Sequence, residues 1–179
     1  MATTTFQGPV RSLGGIFQQG PDTVVPVTAS TEINPTDHGG RIISVGGALA
    51  ANVVLTLPTI NIEADPVTAG PGRNPSTSNN LGVTYTIMVP ATITGNSLKI
   101  GTNGTDKFVG SLSSIDTDSG NVMVGFVSGA TNDFINLNGG TTGGIAGTII
   151  NIVAVAANKY MVTGIVLGSG IVVTPFADA

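Results

Sequence analysis

The chain has 179 residues and a formal net charge of −4, with only 9% charged residues, 26 glycines, and neither cysteine nor tryptophan. Globular proteins are ordinarily about 25% charged, so the surface here must be made largely of Thr, Ser, Asn and Gly. Lys99, Lys107, Lys159, Arg11, Arg41 and Arg73 are scattered along the chain and build no basic patch to neutralise phosphates, which argues against nucleic acid as a partner; without cysteine there are no disulfides and no thiolate metal sites.

Residues 1–22, opening MATTTFQGPVRSLGG, are polar and punctuated by Gly and Pro, with isolated Phe6, Val10, Leu13, Ile16 and Phe17. Single apolar side chains on an extended chain act best as anchors in another molecule's pockets. The segment therefore reads as an extended N-terminal arm with a reach of ~70 Å. It has no basic region followed by an apolar run, so the expectation is a chain made in the cytoplasm without a secretory signal.

Residues 23–179 are expected to form a single β-domain, a size that supports one core. Runs rich in β-branched residues follow one another at residues 23–28 (TVVPVT), 41–46 (RIISVG), 52–57 (NVVLTL), 83–89 (VTYTIMV), 97–100 (SLKI), 107–109 (KFV), 122–127 (VMVGFV), 134–137 (FINL), 148–155 (TIINIVAV), 160–167 (YMVTGIVL) and 171–174 (IVVT). Gly, Pro, Asn or Asp bounds each run, the pattern of strands in an all-β sandwich or barrel. In 83–89 alternation points Val83, Tyr85, Ile87 and Val89 to the core and Thr84, Thr86 and Met88 outward. In 148–155 the alternation nearly vanishes, as in a strand covered on both faces, and the final strands are the natural cover. Residues 62–80, with Pro66, Pro71 and Pro75, read as a long surface loop. The run 144–157 (GIAGTIINIVAVAA) is too short and too broken by glycine to span a bilayer, so no membrane is expected.

Few residues could carry chemistry. His38 is the only histidine, so multi-histidine metal sites are excluded. It could be drawn into a triad with Asp37, yet adjacent side chains rarely aim at one another and no G-x-S-x-G elbow occurs; PTDHGG (35–40) reads as a turn before a strand. The ten acidic residues leave a glycosidase-type pair open on spacing, but only Tyr85 and Tyr160 are there to help stack a sugar ring in a chain without Trp. DTDSGN (116–121) has the look of a calcium loop, yet the position requiring Glu is Val127, so a hairpin turn is expected. NGGTTGG (138–144) lacks the lysine of a phosphate loop, and Asn103-Gly104-Thr105 reads as a turn. The expectation is no enzyme, no cofactor, no metal and no small-molecule substrate.

The blocks NVVLTLP (52–58), LGVTYTIMVPATITGNSLKIGTNGTDKFVGS (81–111), DFINLNGGTTGGIAGTIINIVAVAANKYMVTGIVLGSG (133–170) and TPF (174–176), after the opening MATTTFQGPVRS, cover more than half of the chain. In this order they resemble the small structural proteins in virions of tailed phages, especially marine and cyanobacterial ones. Tyr160 stands where that family's N-K-W-x-V pattern has Trp. The resemblance implies a capsid decoration, or cement, protein: a jelly-roll-like β-domain, trimeric, on the outer surface of the virion. Its partners would be the major capsid protein and further copies of itself. On this reading Phe6, Val10, Leu13, Ile16 and Phe17, with Arg11 as a carboxylate partner, grip the capsid. Tyr160, Val162, Val166, Ile171, Val173 and Phe176 form the oligomer interface. The rival reading is a tail fibre, spike or surface knob that binds a host receptor through the 62–80 loop; a secreted adhesin or polysaccharide-active enzyme is a third.

Overall fold

A computed structural model describes residues 20–62, 79–118, 120 and 122–178. Among these residues twelve strands form two sheets. They are β1 (Val24–Pro26), β2 (Thr31–Glu32), β3 (Ile42–Ser44), β4 (Val53–Thr56), β5 (Thr84–Met88), β6 (Leu98–Gly101), β7 (Lys107–Asp116), β8 (Met123–Val127), β9 (Phe134–Leu137), β10 (Ile149–Ala156), β11 (Lys159–Gly168) and β12 (Phe176–Ala177). The larger sheet, A, has the order β1-β3-β5-β10-β11-β7-β8, and the smaller, B, the order β12-β9-β6-β4-β2. The all-β sandwich read from the sequence is present.

In its first half the chain coils. β1, β3 and β5 lie parallel in sheet A, with Val24 opposite Ile42 and Ile42 opposite Thr86. β2, β4 and β6 do the same in sheet B, with Thr31 opposite Leu55 and Val53 opposite Leu98. Successive strands thus alternate between the sheets, a path of the β-solenoid kind, where a jelly roll would stack antiparallel Greek keys. No repeat marks this coil in the sequence, because its turns are unequal: the short step from β1 to β3 contrasts with the long one from β4 to β5, which includes residues 62–80.

The second half is hairpin-built. β7 and β8 pair antiparallel, as do β10 and β11. The β10–β11 turn is held by Asn158 at φ 59°, a left-handed conformation that Asn tolerates well. β11 then lies parallel to β7 along its whole length, from Lys159 opposite Lys107 to Gly168 opposite Asp116. Gly110 is essential to that ladder: its φ is +130°, and a Cβ there would fall on the Val162 carbonyl.

Between the sheets lies one apolar core. Ile43, Tyr85, Ile87, Leu112, Ile150, Ile152 and Val162 of sheet A face Leu55, Leu98, Ile100, Ile135 and Leu137 of sheet B, all essentially sealed from solvent. On the far side of sheet B the Phe134 ring lies over Gly101, its cross-strand partner.

Several elements differ from the sequence reading. β7 runs on through Ser111, Ser113 and Ser114 to Asp116, a stretch whose β propensity is low but which two neighbouring strands hold in place. β2 is only two residues long. Residues 171–174 are not a strand; the chain re-enters sheet B only at Phe176–Ala177. PTDHGG begins with a one-turn helix, α1 (Pro35–His38), capped by Asn34, whose side-chain oxygen accepts from the Asp37 N–H at 2.8 Å. The expected arm lies outside the described residues except for its last three, and so does most of the 62–80 loop.

Candidate functional site

The six residues expected at an oligomer interface do not share a surface. Tyr160, Val162 and Val166 are fully buried and Phe176 nearly so, all within the subunit's own core. That is a correction with a simple cause: even-numbered positions of β11 point inward between the sheets, where no second chain reaches them. Ile171 and Val173 are exposed, at 85% and 44%. The arm residues Phe6, Val10, Arg11, Leu13, Ile16 and Phe17 lie outside the described residues.

The other parity of the same strands reveals a surface that the sequence reading missed. β10 sits in the middle of sheet A, with Ile150, Ile152 and Ala154 on the core, while Ile149 faces outward and is 37% exposed. Its second apolar face is therefore uncovered rather than packed beneath the final strands, which lie beside it or elsewhere. The ladders extend this face in rows. Met88, Ile149 and Ile165 are cross-strand neighbours in one row, Val153, Met161 and Val109 in another, and Leu167, Ile115 and Met123 in a third. Between the first two runs a polar row, Thr86, Asn151, Thr163 and Ser111, in which the Thr86 hydroxyl donates to Asn151 Oδ1 at 2.9 Å.

This face is nearly free of charge. Among the outward positions of sheet A strands only Lys107 and Lys159, at one end, are charged, and Lys107 is occupied by Asp133 Oδ2 and the Gly104 carbonyl, each at 2.7 Å. Val109, Met123, Val127, Met161 and Ile165 are all more than 40% exposed, and among the described residues no strand of sheet B carries a large hydrophobic side chain so exposed. An exposed sheet face with this many large apolar side chains, even crossed by one polar row, marks an association surface more often than ordinary solvent-facing sheet.

Several polar groups of the fold are used for building. His38 is buried, and its Nδ1 accepts from the Asn34 N–H at 3.2 Å. Asp106 Oδ2 accepts from the Ile60 N–H at 3.0 Å. Asn80 closes the stem of the 62–80 loop, accepting from the Asn61 N–H and donating to the Thr59 carbonyl, both at 2.9 Å. Asn103 Oδ1 accepts from the N–H groups of Thr105 and Asp106 in the expected turn. Burial pushes the Tyr85 phenol up to about 12. Tyr160 is pushed up further, by burial first and then by Tyr85 and Asp106, while its hydroxyl donates to the Pro58 carbonyl at 2.6 Å.

Beside β8 opens a cleft of 560 Å³ lined by Asp116, Asp118, Val122, Val124, Ile171 and Val172. Asp118 Oδ2 accepts from the Gly170 N–H at 2.7 Å, and Asp116 Oδ1 from the Asp118 N–H at 3.1 Å. Among the described residues no group of three or more His, Asp or Glu is placed to hold a metal ion, and no helix is long and apolar enough to cross a membrane. No family model matches the chain, nor does any curated protein or solved structure. The fold and its surfaces are therefore the ground for a functional reading.

Proposed function

We propose that this protein is a capsid decoration protein of a tailed phage, an oligomer that binds the outer surface of the assembled shell and stabilises it. The observation that carries the reading is the nearly uncharged, largely apolar outer face of sheet A, set against a sheet B without one. Such a face is suited to lasting burial against another protein, where each apolar Å² removed from water contributes about 25 cal/mol. The virion resemblance supplies the partner, the major capsid protein, and the arm bearing Phe6, Val10, Arg11, Leu13, Ile16 and Phe17 supplies a second attachment. Cementing then follows from linkage: a protein that binds only the assembled lattice stabilises it by mass action, and joined copies add avidity.

Quantitative mass spectrometry of purified particles tests this. A molar ratio to the major shell protein near one supports decoration, with occupancy falling in a protein lacking residues 2–20. A ratio of a few per cent would overturn it in favour of a fibre or spike.

A further inference from the structure

The two sheets have four edges, and three are blunted. β1 is three residues long and ends in Pro26, and β2 and β12 are two residues each, with the exposed Glu32 on β2. Short strands, proline and charge are the usual safeguards against edge-to-edge pairing. β8 has none of them: Met123-Val124-Gly125-Phe126-Val127 is five residues of uncharged, β-prone chain at the edge of sheet A.

We infer that β8 pairs antiparallel with β8 of a second copy, about a two-fold axis at Gly125, joining two A sheets into one. The register follows from the hydrogen bonds already present. Asp116 N–H donates to the Val122 carbonyl and Ser128 N–H to the Gly110 carbonyl. Hydrogen-bonded pairs alternate along an antiparallel ladder, so the even-numbered residues of β8 bond to β7. The N–H and C=O groups of Met123, Gly125 and Val127 then point to the open edge. With Gly125 on the axis, Gly125 meets Gly125 and Met123 meets Val127 of the second copy, and every outward-directed backbone group finds a partner.

Side chains agree with this register. Met123 and Val127, 67% and 76% exposed, become cross-strand neighbours on the outer face. On the inner face Phe126 of the second copy lies beside Val124, at the mouth of the cleft that Val122, Ile171 and Val172 help to line; an aromatic beside a β-branched residue is a favourable cross-strand pair. Nothing lies within 4 Å of a Cβ built on Gly125, so the axis position is open. The acidic groups before each β8, Asp116 at the end of β7 and Asp118 in the turn, fall at opposite ends of the ribbon, about 20 Å or more apart and beyond the Debye length. Met123, Val127, Val122 and Ile171 expose on the order of 500 Å² per copy, so their complete burial sets an upper bound of about 1,000 Å² in total, the lower end for a specific interface. Because the axis is perpendicular to the sheet, both outer faces of the joined sheet point the same way. The pairing stands independently of the capsid reading, and it favours two copies over the three implied by the resemblance.

Light scattering on the full-length protein at about 100 µM, above the micromolar range a contact of this size supports, tests the inference. The expected mass is that of two copies. Met123→Lys with Val127→Lys places like charges opposite one another and should raise the dissociation constant at least tenfold with an unchanged circular dichroism spectrum, whereas Ile149→Lys, away from the edge, should leave the dimer intact. As a second arm, Gly125→Cys in this cysteine-free chain should give a covalent dimer on mild oxidation or with a short bis-maleimide, and Ser111→Cys should not. A wild-type monomer, a mass of three copies, or a dimer indifferent to the double lysine variant would overturn the pairing. Particle occupancy is measured separately, so loss of capsid binding by an intact dimer would count against the proposed function alone.

Discussion

The outer faces of the two sheets are made by the same alternation and present opposite surfaces. Sheet B turns Thr56, Lys99 and Asn136 outward, and Phe134 is spent covering Gly101. Sheet A turns out Ile149, Met161, Ile165, Val109 and Met123. A sandwich needs only one apolar face per sheet to build its core. The second apolar face of sheet A is surplus to folding, and under the proposed function that surplus is the association surface.

The sharpest way to separate folding residues from association residues lies at the C-terminal end. Val166 is sealed in the core and Ile171 stands 85% exposed. Val166→Asp buries an unpaired carboxylate and should cost more than 4 kcal/mol, enough to unfold most domains. Ile171→Asp, measured in protein dilute enough to be monomeric, should change stability by less than about 0.5 kcal/mol. Urea denaturation of both variants reads the contrast, and equal losses would break the distinction.

A smaller effect comes from pH. Tyr85 and Tyr160 both have folded values raised above the ordinary 10.0. Their contribution is fully present below pH 10 and is lost as pH rises through the folded values, because the unfolded chain releases those protons first. That contribution should be constant up to about pH 10, then fall between 10 and 12 by up to about 1.4 kcal/mol per pH unit for each tyrosine. Fluorescence-detected denaturation across this range checks the window. Smaller again is the difference between the two hydroxyls. Tyr160→Phe removes the bond to the Pro58 carbonyl and should cost about 1 kcal/mol. Tyr85→Phe removes a buried hydroxyl without a hydrogen-bond partner and should be neutral or slightly stabilising. A thermal melt of each distinguishes them.

Much of this fold was legible in the sequence. β-branched runs located most of the strands, and in β5 the alternation assigned Tyr85 and Ile87 to the core, where both are buried. The coil of parallel strands was not legible, because unequal connections erase any period. The interface was misread at β11 for a physical reason. Both parities of that strand are apolar, Tyr160, Val162 and Val166 on one and Met161, Ile165 and Leu167 on the other, and hydrophobicity alone does not say which faces the subunit's own core. The signal that could have helped was the lost alternation in β10: a strand apolar on both faces within a two-layer sandwich has one face left for another molecule.

The measurement that tests the account most directly is particle binding by two surface variants, Ile165→Lys on the outer face of sheet A and Thr56→Lys on that of sheet B. Titrated onto particles stripped of this protein, Ile165→Lys should bind at least tenfold more weakly than wild type, and Thr56→Lys should bind as wild type does. Equal binding by the two variants, or a loss confined to Thr56→Lys, would contradict the assignment of sheet A as the association surface.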